Sequence, residues 1–290
     1  MYALATLAYA LAWTLSWRRV AGGASAGSGP VRAAAGAPPA QAAGGPDPAQ
    51  WALLAAVLLH GATLLVPLAA EEPQLRFGFA QALSTALWLG AALLWIESLA
   101  VRVDVLRLLV LPAALAALWL PAFFPGADVT GLTERPLFLP HIAVAMLGYS
   151  VLTLAALHAV LMAAAERGLH AGGTQRAAWF ARWLDSLPPL LVLERMLFRM
   201  ILVGFALLTL TVVTGVFFGE EVFGRALRWD HKTVFSLIAW AVFGALLLGR
   251  LARGWRGHTA LRMTLGGYGL LLLGYVGSRF VLEVVLRRAG

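Results

Sequence analysis

The chain has 290 residues, of which 61% are hydrophobic and only 12% charged. Soluble domains carry about 25% charged residues, so a water-soluble fold is excluded: the surplus apolar surface must face lipid or other helices within lipid. The formal charge of +8 comes from arginines beside apolar runs and so does not mark a nucleic-acid binder; the absence of cysteine removes disulfides, thiolate metal sites, cysteine nucleophiles and iron–sulfur ligation.

Apolar runs approaching or exceeding the ~17–25 residues of a span predict an all-α, polytopic membrane bundle of about eight helices. These fall near residues 1–17, 51–70, 77–97, 104–122, 139–165, 196–219, 232–250 and 264–286. No basic residue precedes the first run, and Arg18 and Arg19 follow it, which reverses the polarity of a signal peptide. An uncleaved first helix (residues 1–20) with its N-terminus outside is therefore expected. Residues 21–50 are almost entirely Ala, Gly, Pro and Ser and read as a disordered cytoplasmic linker, because they cannot bury enough surface to offset ordering entropy. Residues 51–290 then form a seven-helix membrane domain. Between its fifth and sixth predicted spans, counted from the chain's start, Trp179, Phe180, Trp183 and Leu184 recur at helical spacing beside Arg176 and Arg182, which predicts a helix lying on the inner membrane face and ended by Pro188-Pro189.

Basic residues alternate along this series. The odd-numbered loops hold Arg18, Arg19, Arg32, Arg102, Arg107, Arg167, Arg176, Arg182, Arg195, Arg199, Arg250, Arg253, Arg256 and Arg262. The even-numbered loops and the C-terminal end hold half as many: Arg76, Arg135, Arg225, Arg228, Lys232, Arg287 and Arg288. The positive-inside rule places the odd loops in the cytoplasm and both termini on the periplasmic side of a bacterial inner membrane.

Six histidines are the main candidates for chemistry. His170 and His258 sit in arginine-rich loops and read as solvated. His141 and His231 open the fifth and seventh predicted helices at the same outer face, at matched depth, which is what a bis-histidine haem needs; capping of a helix end is the equal alternative. With no cysteine, any haem is non-covalent. His60 and His158 fall at similar depth inside the bilayer, either as a second pair or each hydrogen-bonded to a neighbouring helix. Arg279 is the one arginine well inside a span; it either snorkels, pairs with Glu283, or meets a ligand carboxylate such as a haem propionate. Trp88, Trp95, Trp119, Trp229 and Trp240 read as interface anchors. Phosphate-loop, His-Glu-x-x-His and Gly-x-Ser-x-Gly motifs are absent from the sequence.

Several segments together carry a resemblance: His141 through Gly148-Tyr149; Thr214-Gly215 through Gly219-Glu220 to Trp229-Asp230-His231-Lys232-Thr233, Ser236 and Trp240; Gly266-Gly267-Tyr268 through Gly274-Tyr275-Val276-Gly277; Leu187-Pro188-Pro189 with Glu194-Arg195-Met196; and Leu59-His60-Gly61. Over roughly residues 51–286 the chain resembles the cytochrome c assembly family, the CcsA/ResC/CcmC group, and most of all its smaller HemX/YpjD-type inner-membrane members. The resemblance implies non-covalent haem b handled at the outer face for cytochrome c maturation, alongside other maturation proteins or apocytochrome c. It implies binding and presentation without catalysis. By position His141 matches the family's first outer ligand, and Trp229 and Asp230 match the end of its haem loop. Family members place a second outer histidine beyond the last helix. Here His231 either replaces that ligand or marks a member that has lost haem transfer. The expected binding set is therefore His141, His231, His60, Trp229, Asp230 and Arg279, with His141 and His231 on the iron. The rival functions are a non-haem structural or regulatory subunit of a membrane complex and a small-solute transporter.

Overall fold

The computed structural model describes residues 1–22, 47–69, 75–99, 103–170, 187, 189–223 and 230–285. Among them run eight long helices: α1 Tyr2–Gly22, α2 Pro48–Leu65, α3 Phe79–Glu97, α4 Asp104–Phe123, α5 Phe138–His170, α6 Leu190–Phe223, α7 His231–Arg253 and α8, which begins as Gly257–Leu272. From there α8 continues through a π turn at Leu273–Gly277, a single α turn at Ser278–Phe280 and a second π turn at Val281–Val285. Six helices, α2 to α7, are long and apolar enough to cross a membrane. α1 is richer in Thr, Ser, Tyr and Trp, and π turns divide α8. The expected all-α membrane bundle is what the chain forms.

α5 and α6, with 33 and 34 residues, are longer than their apolar runs suggested. At 1.5 Å per residue each extends ~50 Å, well beyond the ~30 Å hydrocarbon core. The linker's edges are helical: α1 continues to Gly22 and α2 starts at Pro48, while residues 23–46 and the surface helix expected over 176–186 lie outside the described residues.

Two packed cores divide the bundle. α1 to α4 meet around Tyr9, Leu53, Leu87, Leu111 and Ala114. The larger core joins α5 to α8 with parts of α3 and α4, around Leu152, Leu197, Ile201, Phe243, Leu246 and Leu271. α5 is the central helix: 72% of its spanning stretch is buried, against 22% for α6 and for α7. Its most extensive partner is the antiparallel α6. Small residues make that approach possible: a Cβ on Gly204 would lie 2.5 Å from Leu152, and one on Gly148 would lie 3.3 Å from Leu207. In lipid, where apolar burial does not drive helices together, such close contact supplies the attraction.

The two ends of the bundle differ in chemistry. At one end α2, α4 and α6 begin, and arginines predominate. Asp47 caps α2 by accepting from the Ala49 N–H at 2.8 Å, pairs with Arg19, and lies 3.4 Å from Arg107. Arg107, expected in a loop, instead lies one turn into α4, only 2% exposed, with Asp104 at 3.2 Å. On the same end Glu194 pairs with Arg250, whose guanidinium stands 4.2 Å over the Phe198 ring. At the opposite end α3, α5 and α7 begin, and a two-stranded ribbon, β1 Arg76–Phe77 against β2 Ala127–Asp128, ties the α2–α3 connection to the α4–α5 connection. Gly126 turns the chain there with φ of +73°. This second end carries His141 and His231.

The Asp47 clasp has a testable pH signature. Burial pushes this carboxyl up, but the Ala49 N–H and the charges of Arg19 and Arg107 outweigh burial and hold it below its ordinary value. A carboxyl depressed on folding adds stability above its unfolded pKa, about 3.9, and loses it as pH falls through the folded value. Thermal unfolding in detergent should therefore show an acid-labile step below about pH 4 in the wild type. Asp47→Asn should lack that step and be less stable at neutral pH. Identical profiles would remove Asp47 from the account.

Candidate functional site

His141 sits in the first turns of α5, directly after Pro140, whose missing N–H costs nothing where no helical acceptor precedes it. The side chain is half-buried against α6. Its Nδ1 lies 3.0 Å from the Thr214 hydroxyl. That hydroxyl is itself back-bonded along α6, donating to the Leu210 carbonyl at 2.8 Å with the Thr211 carbonyl at 3.2 Å. The next residue, Gly215, leaves room for the ring: a Cβ there would lie 3.2 Å from His141 Cε1.

His231 is the first residue of α7 and is exposed. Asp230 is the helix cap, accepting from the Thr233 N–H at 2.9 Å and the Thr233 hydroxyl at 3.0 Å. The next residue, Lys232, places its ammonium 5.3 Å from the centre of the Tyr275 ring. α5 packs on α6, α6 on α7, α7 on α8, and α8 returns to α5. The two histidines thus stand at one end of the bundle on helices that face each other diagonally across a four-helix unit, where bundles hold cofactors.

Around Tyr275 several elements converge. Its ring meets Phe77 at 6.0 Å and Tyr149 at 6.4 Å. The Tyr149 hydroxyl donates to the Leu271 carbonyl at 2.8 Å, where α8 passes from α to π geometry, and Ser278 donates to the Gly274 carbonyl at 2.7 Å. Side chains thus serve carbonyls beside the π turns, a geometry common at functional sites. Arg279 lies between the two π turns, half-buried, with its Nε lacking a hydrogen-bond partner among the described residues. The Glu283 side chain and Trp229 lie outside the described residues.

The two deeper histidines are engaged separately. His60 is fully buried, with Nδ1 3.0 Å from the Tyr9 hydroxyl on α1 and Nε2 2.9 Å from the Ser84 hydroxyl on α3. Both nitrogens are occupied, so a metal at His60 would have to displace one of these hydroxyls. His158 donates from Nε2 to the Leu193 carbonyl of α6 at 2.9 Å. The second pair suggested by matched depth is not made; each histidine bonds to its own neighbouring helices. His258 is exposed, 3.2 Å from Glu166, and the His170 side chain lies outside the described residues. Among the described residues no three His, Cys, Asp or Glu side chains gather as a metal-ion site.

Three tryptophans expected at the interface also link helices, Trp88 from within the bundle and Trp119 and Trp240 from exposed positions. Trp88 lies against Gly61, whose Cβ would fall 2.8 Å from the indole, and donates to the Val57 carbonyl at 2.8 Å. Trp119 donates to Thr6 at 3.1 Å, and Trp240 to Thr209 at 2.9 Å. The seat of His141 is the feature residue reading did not assign: Thr214-Gly215 stood in a motif but had no role. Its signal was available, since an antiparallel α5–α6 pair in the register of Gly148 with Leu207 brings residue 141 to residue 214.

Comparison with known proteins agrees with this architecture. A sequence model described as "Cytochrome C assembly protein" matches residues 49–286. The chain belongs to the cytochrome c assembly protein family. It is 34% identical over 172 residues to the inner membrane protein YpjD of Escherichia coli (strain K12), covering 59% of this chain and 62% of that protein. A second relative, an uncharacterized 28.8 kDa protein in the nifR3-like 5'region of Azospirillum brasilense, is 35% identical over 212 residues, covering 70% of this chain and 76% of the relative. The cytochrome c biogenesis protein CcsA of Prochlorococcus marinus subsp. pastoris is 36% identical over 89 residues, covering 31% of this chain and 28% of that protein. The chain thus spans less than two thirds of the YpjD and CcsA relatives. No solved structure matches it significantly. α1 lies outside the family match, yet its Tyr9 holds His60 inside it.

Tyr9→Phe tests that link between α1 and the family region. It leaves His60 Nδ1 without its partner and should lower the bundle's stability in detergent by about 1 kcal/mol. An unchanged unfolding midpoint would show that α1 is held by apolar packing alone.

Proposed function

We propose that this cytochrome c assembly family protein binds non-covalent haem b at the histidine end of the bundle and presents it for cytochrome c maturation. The observation that carries the reading is the state of His141: Nδ1 is held by Thr214, so an iron would be met through Nε2. Histidine metal ligands commonly engage the other ring nitrogen in a hydrogen bond of this kind. His231, exposed at the opening of α7 at the same end, would be the second residue to hold the iron in this reading. Arg279, whose Nε lacks a partner among the described residues, suits a propionate carboxylate. The donor set fits the group, and a chain without cysteine cannot attach it through thioether bonds.

In this reading the chain holds, orients and releases its cargo and makes no bonds, so it is not an enzyme. Bound haem would supply the iron and the vinyl groups that a c-type cytochrome takes up. α5 and α6 fix the His141 ring, α7 offers His231 from a capped first turn, and the apolar sides of the four-helix unit exclude water from the macrocycle. His60 has a structural part, joining α1, α2 and α3. The excess of arginine at the other end of the bundle supports placing that end in the cytoplasm and the histidine end outside an inner membrane, with both termini periplasmic. The partners are then other maturation proteins or apocytochrome c.

Purified protein should show a reduced α band and a pyridine haemochrome spectrum of haem b. His141→Ala and His231→Ala should each abolish six-coordinate low-spin haem. A colourless protein that stays colourless when expressed with excess haem would contradict the reading and support a structural or regulatory subunit of a membrane complex instead.

A further inference from the structure

The hydrogen bonds around Thr214 determine more than the position of a ring. A threonine hydroxyl has one proton to give, and here it is directed along α6 to the Leu210 carbonyl at 2.8 Å. Toward His141, at 3.0 Å, the same oxygen can then act only as an acceptor. The proton in that bond must come from the imidazole, so Nδ1 carries the hydrogen. In a neutral imidazole one nitrogen is the donor and the other holds the lone pair, which places the lone pair on Nε2. Gly215 adds to this, because a Cβ there would lie 3.2 Å from Cε1, tight enough that the ring would have to shift. We propose that Thr214 is a positioning residue that fixes His141 as the Nδ1–H tautomer, with Gly215 making room for the ring, so that His141 offers the Nε2 lone pair to the group it binds. The purpose of this arrangement rests on the haem reading above; the tautomer itself does not.

The test uses the full chain in detergent, without haem, carrying ¹⁵N-labelled histidine and held near pH 8, above the ordinary imidazole pKa of about 6.5. The His141 signals are those missing from His141→Ala. Wild type and Thr214→Ser should both show a protonated Nδ1 and an unprotonated Nε2. Thr214→Val keeps the side chain's shape and removes the acceptor, so it should shift the population toward Nε2–H. A protonated Nε2 in the wild type, or an unchanged tautomer in Thr214→Val, would overturn the proposal. Haemin titration of the same samples reads the purpose separately. Thr214→Val should bind about 10- to 100-fold more weakly than wild type, the usual effect of losing such a partner, with Thr214→Ser restoring affinity and Gly215→Ala lowering it. A wild type that binds no haemin would overturn the haem reading, while the nitrogen signals still decide the tautomer.

Discussion

The close antiparallel contact of α5 with α6 is the constraint on which the rest of the bundle depends. α5 is the most enclosed helix, and α3, α4, α6 and α8 all pack on it. In lipid the attraction between helices comes from tight van der Waals fit and interhelical hydrogen bonds. Gly148 and Gly204 allow that fit by leaving Leu207 and Leu152 no competing side chain. The same register, carried two turns further toward the end of the bundle, delivers His141 to Thr214 and Gly215. One packing interface therefore fixes both the scaffold and the ring orientation, and a shift along it would disturb both.

Polar groups inside the bundle follow from the cost of leaving them unpaired in a low-dielectric medium. Three helices share the proton network of Tyr9, His60 and Ser84. Tyr149 and Ser278 satisfy carbonyls beside the π turns of α8. Arg107, almost entirely enclosed, is balanced by Asp104 and Asp47. These contacts sit at different levels: the arginine clasp joins the ends of α1, α2 and α4, the His60 network fastens α1 to α2 and α3, and the His141 seat lies at the far end. Of these, the His60 network leaves neither ring nitrogen open, whereas the enclosed Arg107 keeps an Nε without a partner among the described residues, as Arg279 does. The histidine end differs in having an exposed His231.

Much of this was legible in the sequence, for a physical reason. A span must be long and apolar, so all eight helices were visible as runs, and the family was visible in the motifs around His141, Trp229 to Thr233 and Gly274 to Gly277. That His141 and His231 open helices at the same end of the bundle followed from helix polarity alone. An end is neither a depth nor an azimuth, however. The similar depth expected of His60 and His158 is not found, since His60 meets Ser84 in the histidine-end half of α3 and His158 meets Leu193 beside Glu194 at the arginine end. Which neighbour each side chain meets depends on helix rotation, which apolar runs scarcely constrain when every face is apolar. The same ambiguity placed Trp88 at the interface, whereas Gly61 receives it within the bundle. Arg107 was counted with the loop arginines although it falls inside the run at 104–122, and carboxylates at positions 47 and 104 allow its burial there.

The most direct test of the central claim is the depth of the iron. The natural chain has no cysteine, so a single spin label can be placed on Glu134→Cys at the histidine end or on Leu251→Cys, an 84% exposed position at the arginine end. Pulsed electron resonance on ferric, haem-loaded protein then gives the iron-to-label distance for each. The account predicts a short distance to residue 134 and one of about the ~30 Å hydrocarbon thickness or more to residue 251. Equal distances, or the reverse order, would place the haem away from His141 and contradict it.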